Sequence, residues 1–381
     1  MDGRIHFPGK RIRNLCVDFK NAEGEVEHIE MNDFQKKYLL KRQDFGILYP
    51  YLTEGKVTEI NWNGRQLWIN DLDKGKYMAA DILTDDFVER LVSLIANVTD
   101  QVFNRLHPVM ETETEELRIR AMHRSVAHSG TTISLRKMPA VRRLTQGELV
   151  ESGYCSQAVI DFLRYCIEAH FSMVIGGLPG AGKTELLKYL TKFIPATEQV
   201  MTIEDVLEIH YQKLNPNKDC VEMKVAENFT YMEAMKTCLR QLPRWIILSE
   251  AHSYEVKYLL ESLSSGAAGL TTIQTDDVRN IPERMKSMND IQENRQRIEN
   301  DIFHYLDIGI LVKNNRKNDG STYRRIEQIA VFDRCGKEWK KTVNRTVMLV
   351  ENGELVNRQL PENLIRRFQE MGIGDPLGGV I

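Results

Sequence analysis

The first part of the chain begins with polar residues and continues with the alternating pattern of a hairpin. Residues 1–43 are mostly polar, with one helical pattern from about Met31 to Leu40, and they predict a partly helical N-terminal arm. Val57 to Trp62 and Gln66 to Ile69 are apolar-rich runs that predict two strands. Asn63-Gly64 between them is a pair favoured by type I′ turns, so we expect a tight hairpin here.

Helical and strand patterns follow the hairpin without regular alternation. Apolar residues recur at helical spacing from Phe87 to Val98, behind two acidic residues that favour a helix start. Two further strands are predicted around Arg118–Met122 and Thr131–Leu135. This mixture predicts a small α+β domain over residues 44–139, and residues 140–156 predict a linker with a short helix.

The second half of the chain alternates short apolar runs with helical patterns. Residues 157–381 therefore predict an α/β domain whose sheet is mainly parallel and covered by helices. Beyond this alternation the chain returns to hairpins, with turns expected at Asp319-Gly320 and Asn352-Gly353. The predicted strands are Ser172–Gly176, Val200–Ile203, Trp245–Leu248, Leu270–Gln274 and Ile308–Val312. The predicted helices are Gln157–Ala169, Lys183–Phe193, Thr230–Leu239 and Tyr254–Leu263.

A glycine-rich loop lies between the first strand and the next helix of that domain. Its eight residues fit the pattern G-x-x-x-x-G-K-[ST], in which glycines let backbone N–H groups turn inward around a phosphate. The helix that follows directs its positive end at the same place. The pattern predicts that Lys183 reaches the outer phosphates of ATP and that Thr184 ligates Mg²⁺. The predicted nucleotide-binding residues here are Gly177, Leu178, Pro179, Gly180, Ala181, Gly182, Lys183, Thr184 and Glu185.

Acidic residues follow two other predicted strands. Glu204 and Asp205 end the run that begins at Val200, and Glu250 follows the buried run Trp245–Leu248 by two positions. Ligands of open α/β sheets bind at the carboxyl ends of the strands, so we expect both acids to lie near the phosphate loop. Glu250 is predicted to act on the attacking water, and Glu204 to assist it and to hold Mg²⁺ through water.

Composition and charge limit the alternatives. The net charge is −3, which gives no global attraction to nucleic acid, so no direct nucleic-acid partner is expected. The six cysteines contain no C-x-x-C pair, which disfavours zinc modules and disulfide frameworks. No apolar run is long enough to span a membrane, and the N-terminus lacks the apolar run of a signal peptide. A cytoplasmic protein is predicted.

These segments in order resemble the secretion traffic ATPases, the motors of type II secretion, type IV secretion and Flp/Tad pili. The loop Gly177–Thr184 resembles their Walker A motif, and Ile203–Glu208 resembles their acidic box. Leu239–Glu250 is similar to their Walker B region, and Gly269–Ile273 to the opening of their His box. The resemblance implies a RecA-like P-loop domain after a smaller α+β domain, a homohexameric ring, and a membrane platform protein as partner at the inner face of the cell membrane.

The resemblance also gives a role to a basic segment. From Arg118 to Arg143 there are seven Arg or Lys residues and no Asp or Glu. In the family, arginines of the small domain approach the nucleotide, which implies that Arg118 and Arg136 contact phosphates. Arg124, Arg142 and Arg143 are expected to be solvated.

The chain departs from the family pattern at four positions. Gln274 stands where the family has its eponymous His; it can orient a water but cannot accept a proton as His can. Ser249 replaces a glycine, Arg244 an aspartate and His252 an arginine. The absence of a four-cysteine module favours the Flp/Tad and conjugative branches over type II secretion.

Three functions remain open from the sequence. The first is an ATP-hydrolysing motor, slow or dependent on a partner, that powers secretion, conjugation or pilus assembly. The second, suggested by the changes at Gln274, Ser249 and His252, is a nucleotide-binding assembly or regulatory subunit with little or no turnover. A DNA helicase is disfavoured by the acidic net charge and the lack of a basic and aromatic track.

Overall fold

A computed structural model describes residues 15–20, 26–31, 42–114, 116–226, 228–253, 255–288, 295–317, 322–335 and 343–378. The described residues divide into two compact units at Lys137/Met138, with 73–75 assigned to the second unit. The predicted turn at Asp319-Gly320 lies outside the described residues. The predicted helix from Met31 does as well, except that Met31 itself ends a strand.

The first unit contains a two-stranded and a six-stranded antiparallel arrangement. Strands β1 (Leu15–Lys20) and β2 (Val26–Met31) pair with each other. The larger sheet has the order β5-β4-β3-β8-β7-β6. Its strands are β3 (Val57–Trp62), β4 (Leu67–Asp71), β5 (Gly75–Met78), β6 (Val109–Glu113), β7 (Leu117–Met122) and β8 (Thr132–Lys137). Helices α1 (Arg42–Phe45), α2 (Tyr49–Thr53) and α3 (Asp85–Val98) complete the unit, so the predicted α+β class is confirmed.

Helix α3 forms because its sequence satisfies its own start and buries one face. The Thr84 side chain accepts a hydrogen bond from the Phe87 N–H, which caps the first turn. Residues on one helical face are buried against the sheet and bring Leu91 and Ile95 together with Ile119 and Leu135 of the strands.

The predicted type I′ turn between β3 and β4 is wrong. Of its two central residues only Gly64 has a positive φ, 90°, whereas a type I′ turn needs two. The Asn63 side chain instead accepts hydrogen bonds from the N–H groups of Arg65 and Gln66, at 3.0 and 2.9 Å, so the loop is longer than predicted.

The second unit is built on a nine-stranded sheet of order β11-β10-β12-β13-β9-β14-β15-β16-β17. The strands from β11 to β14 pair in parallel, and those from β14 to β17 pair antiparallel. They are β9 (Met173–Gly176), β10 (Val200–Glu204), β11 (Cys220–Lys224), β12 (Trp245–Leu248), β13 (Ala268–Ile273), β14 (Ile308–Arg316), β15 (Thr322–Cys335), β16 (Val343–Glu351) and β17 (Glu354–Leu355). The predicted mainly parallel α/β sheet is confirmed.

Helices cover both faces of this sheet. They are α4 (Gln146–Glu151), α5 (Gln157–Glu168), α6 (Lys183–Leu190), α7 (Tyr211–Leu214), α8 (Tyr231–Gln241), α9 (Glu255–Ser264), α10 (Ile281–Ser287), α11 (Arg295–Tyr305) and α12 (Glu362–Glu370). Successive residues of β12 enter different cores: Ile247 joins the cluster with α5 and α6, and Ile246 joins the cluster with α8 and α9. Burial on both faces explains the continuous apolar runs of the central strands.

The sequence predicted one turn of this sheet correctly and missed one of its strands. The turn at Asn352-Gly353 is confirmed, with positive φ angles of 53° and 79° between β16 and β17. Strand β11 was not predicted, because it lies at the edge of the sheet and only Met223 of its five residues is buried.

Candidate nucleotide-binding and hydrolysis site

The predicted site residues of the second unit lie together at the carboxyl ends of its parallel strands. The parallel register places Ile203 beside Leu248 and Ile273 beside Gly176. The residues that end or follow these strands, Glu204, Glu250 and Gln274, therefore lie at the same edge as the phosphate loop. The arrangement matches the rule that ligands of open α/β sheets bind at the carboxyl ends of the strands.

The glycine-rich loop has the conformation that its glycines allow. Gly180 and Gly182 have φ angles of 77° and 101°, which other residues rarely adopt. A Cβ atom at Gly177 would lie 2.7 Å from the carbonyl oxygen of Val312, so the loop fits tightly against β14 only with glycine there. Residues 178–180 are exposed at the tip, whereas Ala181 is buried at the base. The base of the loop is therefore fixed by packing, and the backbone at its tip is exposed to solvent.

Lys183 is buried at the start of α6 and is held from two sides. Its Nζ donates a hydrogen bond to the carbonyl oxygen of Gly177 at 3.1 Å. The same atom lies 3.4 Å from Oε1 of Glu250. A cation within a glycine-rich loop and next to a carboxylate is the arrangement that P-loop chemistry needs.

Glu250 is placed by a backbone that is fixed on both sides. The N–H of the preceding Ser249 donates to Ile203 O at 3.1 Å, and Ser249 O accepts from Thr272 Oγ1 at 2.7 Å. His252 Nε2 lies 3.5 Å from the second carboxylate oxygen of Glu250. The carboxylate therefore lies between Lys183 and His252. His252, which stands where the family has an arginine, thus still faces Glu250.

Glu204 is fully buried at the end of β10. Its Oε2 accepts hydrogen bonds from the N–H groups of Glu208 and Ile209, both at 2.9 Å. Burial raises the pKa of Glu204 to about 8, against the lowering effect of these two bonds. Its Oε1 has no hydrogen-bond partner among the described residues. A buried acceptor without a partner is costly, which favours an additional ligand at this position.

These residues fit the Mg²⁺ that a P-loop implies. The free Oε1 of Glu204 and the half-buried Thr184 hydroxyl are oxygen donors, the ligand type that Mg²⁺ prefers. Within the described ranges no group of three or more His, Cys, Asp or Glu side chains forms a metal site. Mg²⁺ at such a site would take its remaining ligands from nucleotide phosphates and water, which is its usual mode of binding.

The raised pKa of Glu204 predicts a pH-dependent effect of Glu204→Gln. Because the folded-state pKa lies above the unfolded one, the wild type loses stability as pH rises from about 4.5 to about 8, at roughly 1.4 kcal/mol per pH unit. Glutamine keeps the carbonyl acceptor but does not ionise. Thermal unfolding without nucleotide should show a stabilising effect of Glu204→Gln that grows between pH 5 and 8. A difference between the two proteins that does not change with pH would contradict the burial of this carboxyl.

Gln274 and Glu185 complete the predicted set in this unit. Gln274 follows β13 and is exposed, so its amide is accessible to a ligand at the edge of the sheet. Glu185 lies 3.9 Å from both Arg143 NH1 and Lys188 Nζ, and its Oε2 has no hydrogen-bond partner among the described residues. The carboxylate therefore sits among cations at the first turn of α6.

The expectation that Arg142 and Arg143 are solvated is wrong. Arg142 donates to the carbonyl oxygen of Lys188 at 3.1 Å and to Asn215 Oδ1 at 2.9 Å, and its burial lowers its pKa. The Arg143 side chain is 19% exposed and faces Glu185. Both residues precede α4 and attach the predicted linker to α6. Arg124, with a 65% exposed side chain beside Glu89, is largely solvated.

The two predicted phosphate arginines of the first unit face each other across neighbouring strands. Arg118 of β7 pairs in register with Arg136 of β8. Glu111 Oε1 accepts hydrogen bonds from Arg118 and Arg120, at 2.6 and 2.8 Å from their NH2 atoms. These bonds lower the pKa of Glu111. Contact of Arg118 and Arg136 with a nucleotide stays a prediction.

One residue at the loop was missed by the sequence analysis. Arg324 of β15 donates from Nε to the carbonyl oxygen of Gly180 at 3.4 Å, across 144 residues of chain. Its segment has only the signature of a hairpin, and no motif singles it out. The signal that could have found it is the position of β15 next to β14, which follows from the sheet order and not from local pattern.

The chain is similar in sequence to known proteins over much of its length. Residues 104–302 match the sequence model of the family described as type II/IV secretion system protein. The chain is 27% identical over 299 residues to an uncharacterized protein of Bacillus anthracis, covering 77% of this chain and 65% of that one. It thus spans less than two thirds of this relative's length. It is 25% identical to a putative conjugal transfer protein of Mycobacterium tuberculosis, over 64% of this chain and 72% of that protein.

A solved structure shares the fold. The X-ray structure of the Yersinia pseudotuberculosis ATPase DotB matches with a TM-score of 0.56 and 14% identity, over 76% of this chain and 80% of DotB. At this identity the likeness concerns the fold alone. Among the described residues, none of the helices has the length and apolar character needed to cross a membrane.

Proposed function

The chain belongs to the type II/IV secretion system protein family, and from this premise we propose that it is a motor that binds and hydrolyses ATP to drive a secretion, conjugation or pilus-assembly machine. The observation that supports this most is the contact between Lys183 of the phosphate loop and Glu250, 3.4 Å apart. A binding loop alone would not need a carboxylate beside its lysine, whereas hydrolysis needs one to polarise water.

Each step of the proposed reaction has a residue of this chain. The backbone N–H groups of Gly177–Thr184 cradle the phosphates, and Lys183 neutralises the charge that develops on them. Glu250 orients the attacking water and accepts hydrogen bonds from it. Thr184, and Glu204 through water, would hold Mg²⁺, which would supply charge neutralisation for the phosphates. Arg118 and Arg136 are proposed to add positive charge when the first unit meets the nucleotide.

Gln274 limits the rate in this proposal. It directly follows β13, where an amide can orient water but cannot take up a proton. We therefore expect intrinsic turnover below the roughly 1–1000 per second typical of enzymes. Gln274→His should raise steady-state phosphate release about threefold to tenfold while ATP affinity stays unchanged. A lower rate in Gln274→His would show that the glutamine is itself adapted to the reaction.

A second function is supported by the same departures. A nucleotide-binding assembly or regulatory subunit would keep Lys183 and the loop but would not turn over. Ser249, His252 and Gln274 favour this alternative. Mg²⁺-dependent release of phosphate from ATP tests the two against each other: release that stops on chelation supports the motor, and binding without any release supports the subunit.

The family premise suggests the surroundings of the motor. We propose a homohexameric ring at the cytoplasmic face of the cell membrane, with a membrane-embedded platform protein as partner and no direct nucleic-acid contact. Light scattering with ATP present tests the ring, and a strict monomer would argue against it. Affinity purification from detergent-extracted membranes tests the platform, and recovery of the chain alone would argue against that partner.

A further inference from the structure

Arg324 of β15 lies against the phosphate loop, and we call the antiparallel pair of β14 and β15 the C-terminal hairpin. Its Nε is 3.4 Å from Gly180 O. A Cβ atom at Gly182 would lie 3.4 Å from Arg324 Cδ, so the side chain packs closely over the glycine that directly precedes α6. Both contacts are with the part of the loop that precedes Lys183, which places the guanidinium beside loop backbone.

The charge of Arg324 is poorly compensated. No carboxylate of the described residues lies within ion-pair distance of it, and burial is the largest effect that lowers its pKa. Glu185 and Asp73 act on it at longer range, and the nearby Arg143 opposes them. Glu185 is also shared with Arg143 and Lys188. Because Glu185 lies closest to those two cations, Arg324 has no carboxylate of its own at the loop among the described residues.

The next residue of β15 shows what a compensated arginine looks like in the same strand. Arg325 Nε lies 2.6 Å from Glu327 Oε2, an ion pair that raises the pKa of Arg325. Successive residues of a strand face opposite sides of the sheet. Of the two neighbours Arg324 and Arg325, Arg324 is therefore the one whose charge lies at the loop without a carboxylate partner in the described part of the chain. A bound anion would supply that partner.

The location within the loop indicates which part of a nucleotide would supply that anion. Loop backbone cradles the inner phosphates, whereas the loop lysine reaches the outer ones. Lys183 and Glu250 lie where the outer phosphates are expected. Arg324 contacts Gly180 and Gly182, in the part of the loop whose backbone is expected to hold the inner phosphates. A group at this position meets the phosphates that ATP and ADP have in common.

We propose that Arg324 binds the diphosphate portion shared by ATP and ADP, so that the C-terminal hairpin retains nucleotide before and after hydrolysis. The inference rests on the proposed nucleotide site. The proposed contact comes from β15, in the antiparallel half of the sheet. It would therefore couple β15 to the bound nucleotide, whether ATP or ADP. The guanidinium donates to phosphate oxygens with a planar fork that lysine lacks.

Calorimetric titration without turnover tests the proposal. Arg324→Gln should weaken binding of ADP and of a non-hydrolysable ATP analogue by the same factor, about 10-fold to 100-fold. Competition by inorganic pyrophosphate should fall by a similar factor. Arg324→Lys should lie between the two proteins, and Arg325→Gln, the matched control, should bind as the wild type does. Without nucleotide, Arg324→Gln should unfold at the wild-type temperature or above it, because it removes an uncompensated charge.

Four results would overturn it. Unchanged ADP affinity in Arg324→Gln, with normal binding by the wild type, removes this contact and leaves the proposed function intact. Loss of analogue affinity alone would place Arg324 at the outer phosphate, and unchanged pyrophosphate competition would place it at the base or sugar. A wild type that binds no nucleotide at all would contradict the proposed function as well.

Discussion

Lys183→Ala should lower steady-state phosphate release by about 100-fold or more. Lys183 is the buried cation of the loop, in contact with Gly177 O and Glu250, and alanine would remove the positive charge proposed to neutralise the transferred phosphate. The same change leaves Glu250 without its nearest cation, so ATP affinity should fall too. Coupled-enzyme or malachite-green detection of phosphate measures the effect.

A matched control separates this effect from general damage. Lys192 lies two residues beyond α6, is exposed, and its ammonium group lies over the rings of Tyr189 and Phe193. Lys192→Ala should release phosphate at the wild-type rate. Equal rates in Lys183→Ala and the wild type would mean that the measured activity does not come from this loop.

Glu250→Gln should abolish hydrolysis and preserve binding. The amide keeps the shape of the side chain but cannot act as a base or polarise water to the same degree, so turnover should fall about 100-fold or more. Affinity for ATP should stay equal or rise, because removal of a negative charge 3.4 Å from Lys183 lessens repulsion of the phosphates. Binding and turnover are measured on the same preparation.

The control for this variant is Glu261→Gln, an exposed carboxylate on α9. It carries the same charge change and should leave both binding and turnover unaltered. If Glu250→Gln lost binding and turnover to the same extent, Glu250 would have a structural role. It would maintain the shape of the loop through Lys183 and would have no separate part in hydrolysis.

The contrast between local and distant features explains what the sequence could predict. The phosphate loop, its strand and its helix are encoded within about 20 consecutive residues, where glycine conformation and apolar runs decide the structure. Glu204 and Glu250 were predictable as well, because strands of a parallel sheet end at the same edge. The contact of Lys183 with Glu250 follows from that rule, although its distance does not.

Features that depend on sheet order or on burial escaped prediction. Arg324 reaches the loop only because β15 lies beside β14, an arrangement that no local pattern specifies. Arg142 and Arg143 looked like surface residues because a run of basic residues shows charge and not accessibility. The turn at Gly64 differed because the Asn63 side chain satisfied backbone N–H groups. Strand β11 is too polar for its apolar pattern to be recognised.

The central claim is that the loop at Gly177–Thr184 and the carboxylate of Glu250 form one hydrolytic site. A single-turnover experiment tests it most directly, with the protein in excess over radiolabelled ATP, Mg²⁺ present and samples quenched over minutes. The wild type should convert bound ATP to ADP and phosphate, whereas Glu250→Gln should hold ATP intact. Bound ATP that stays intact in the wild type, or ATP that is hydrolysed equally fast in Glu250→Gln, would contradict it.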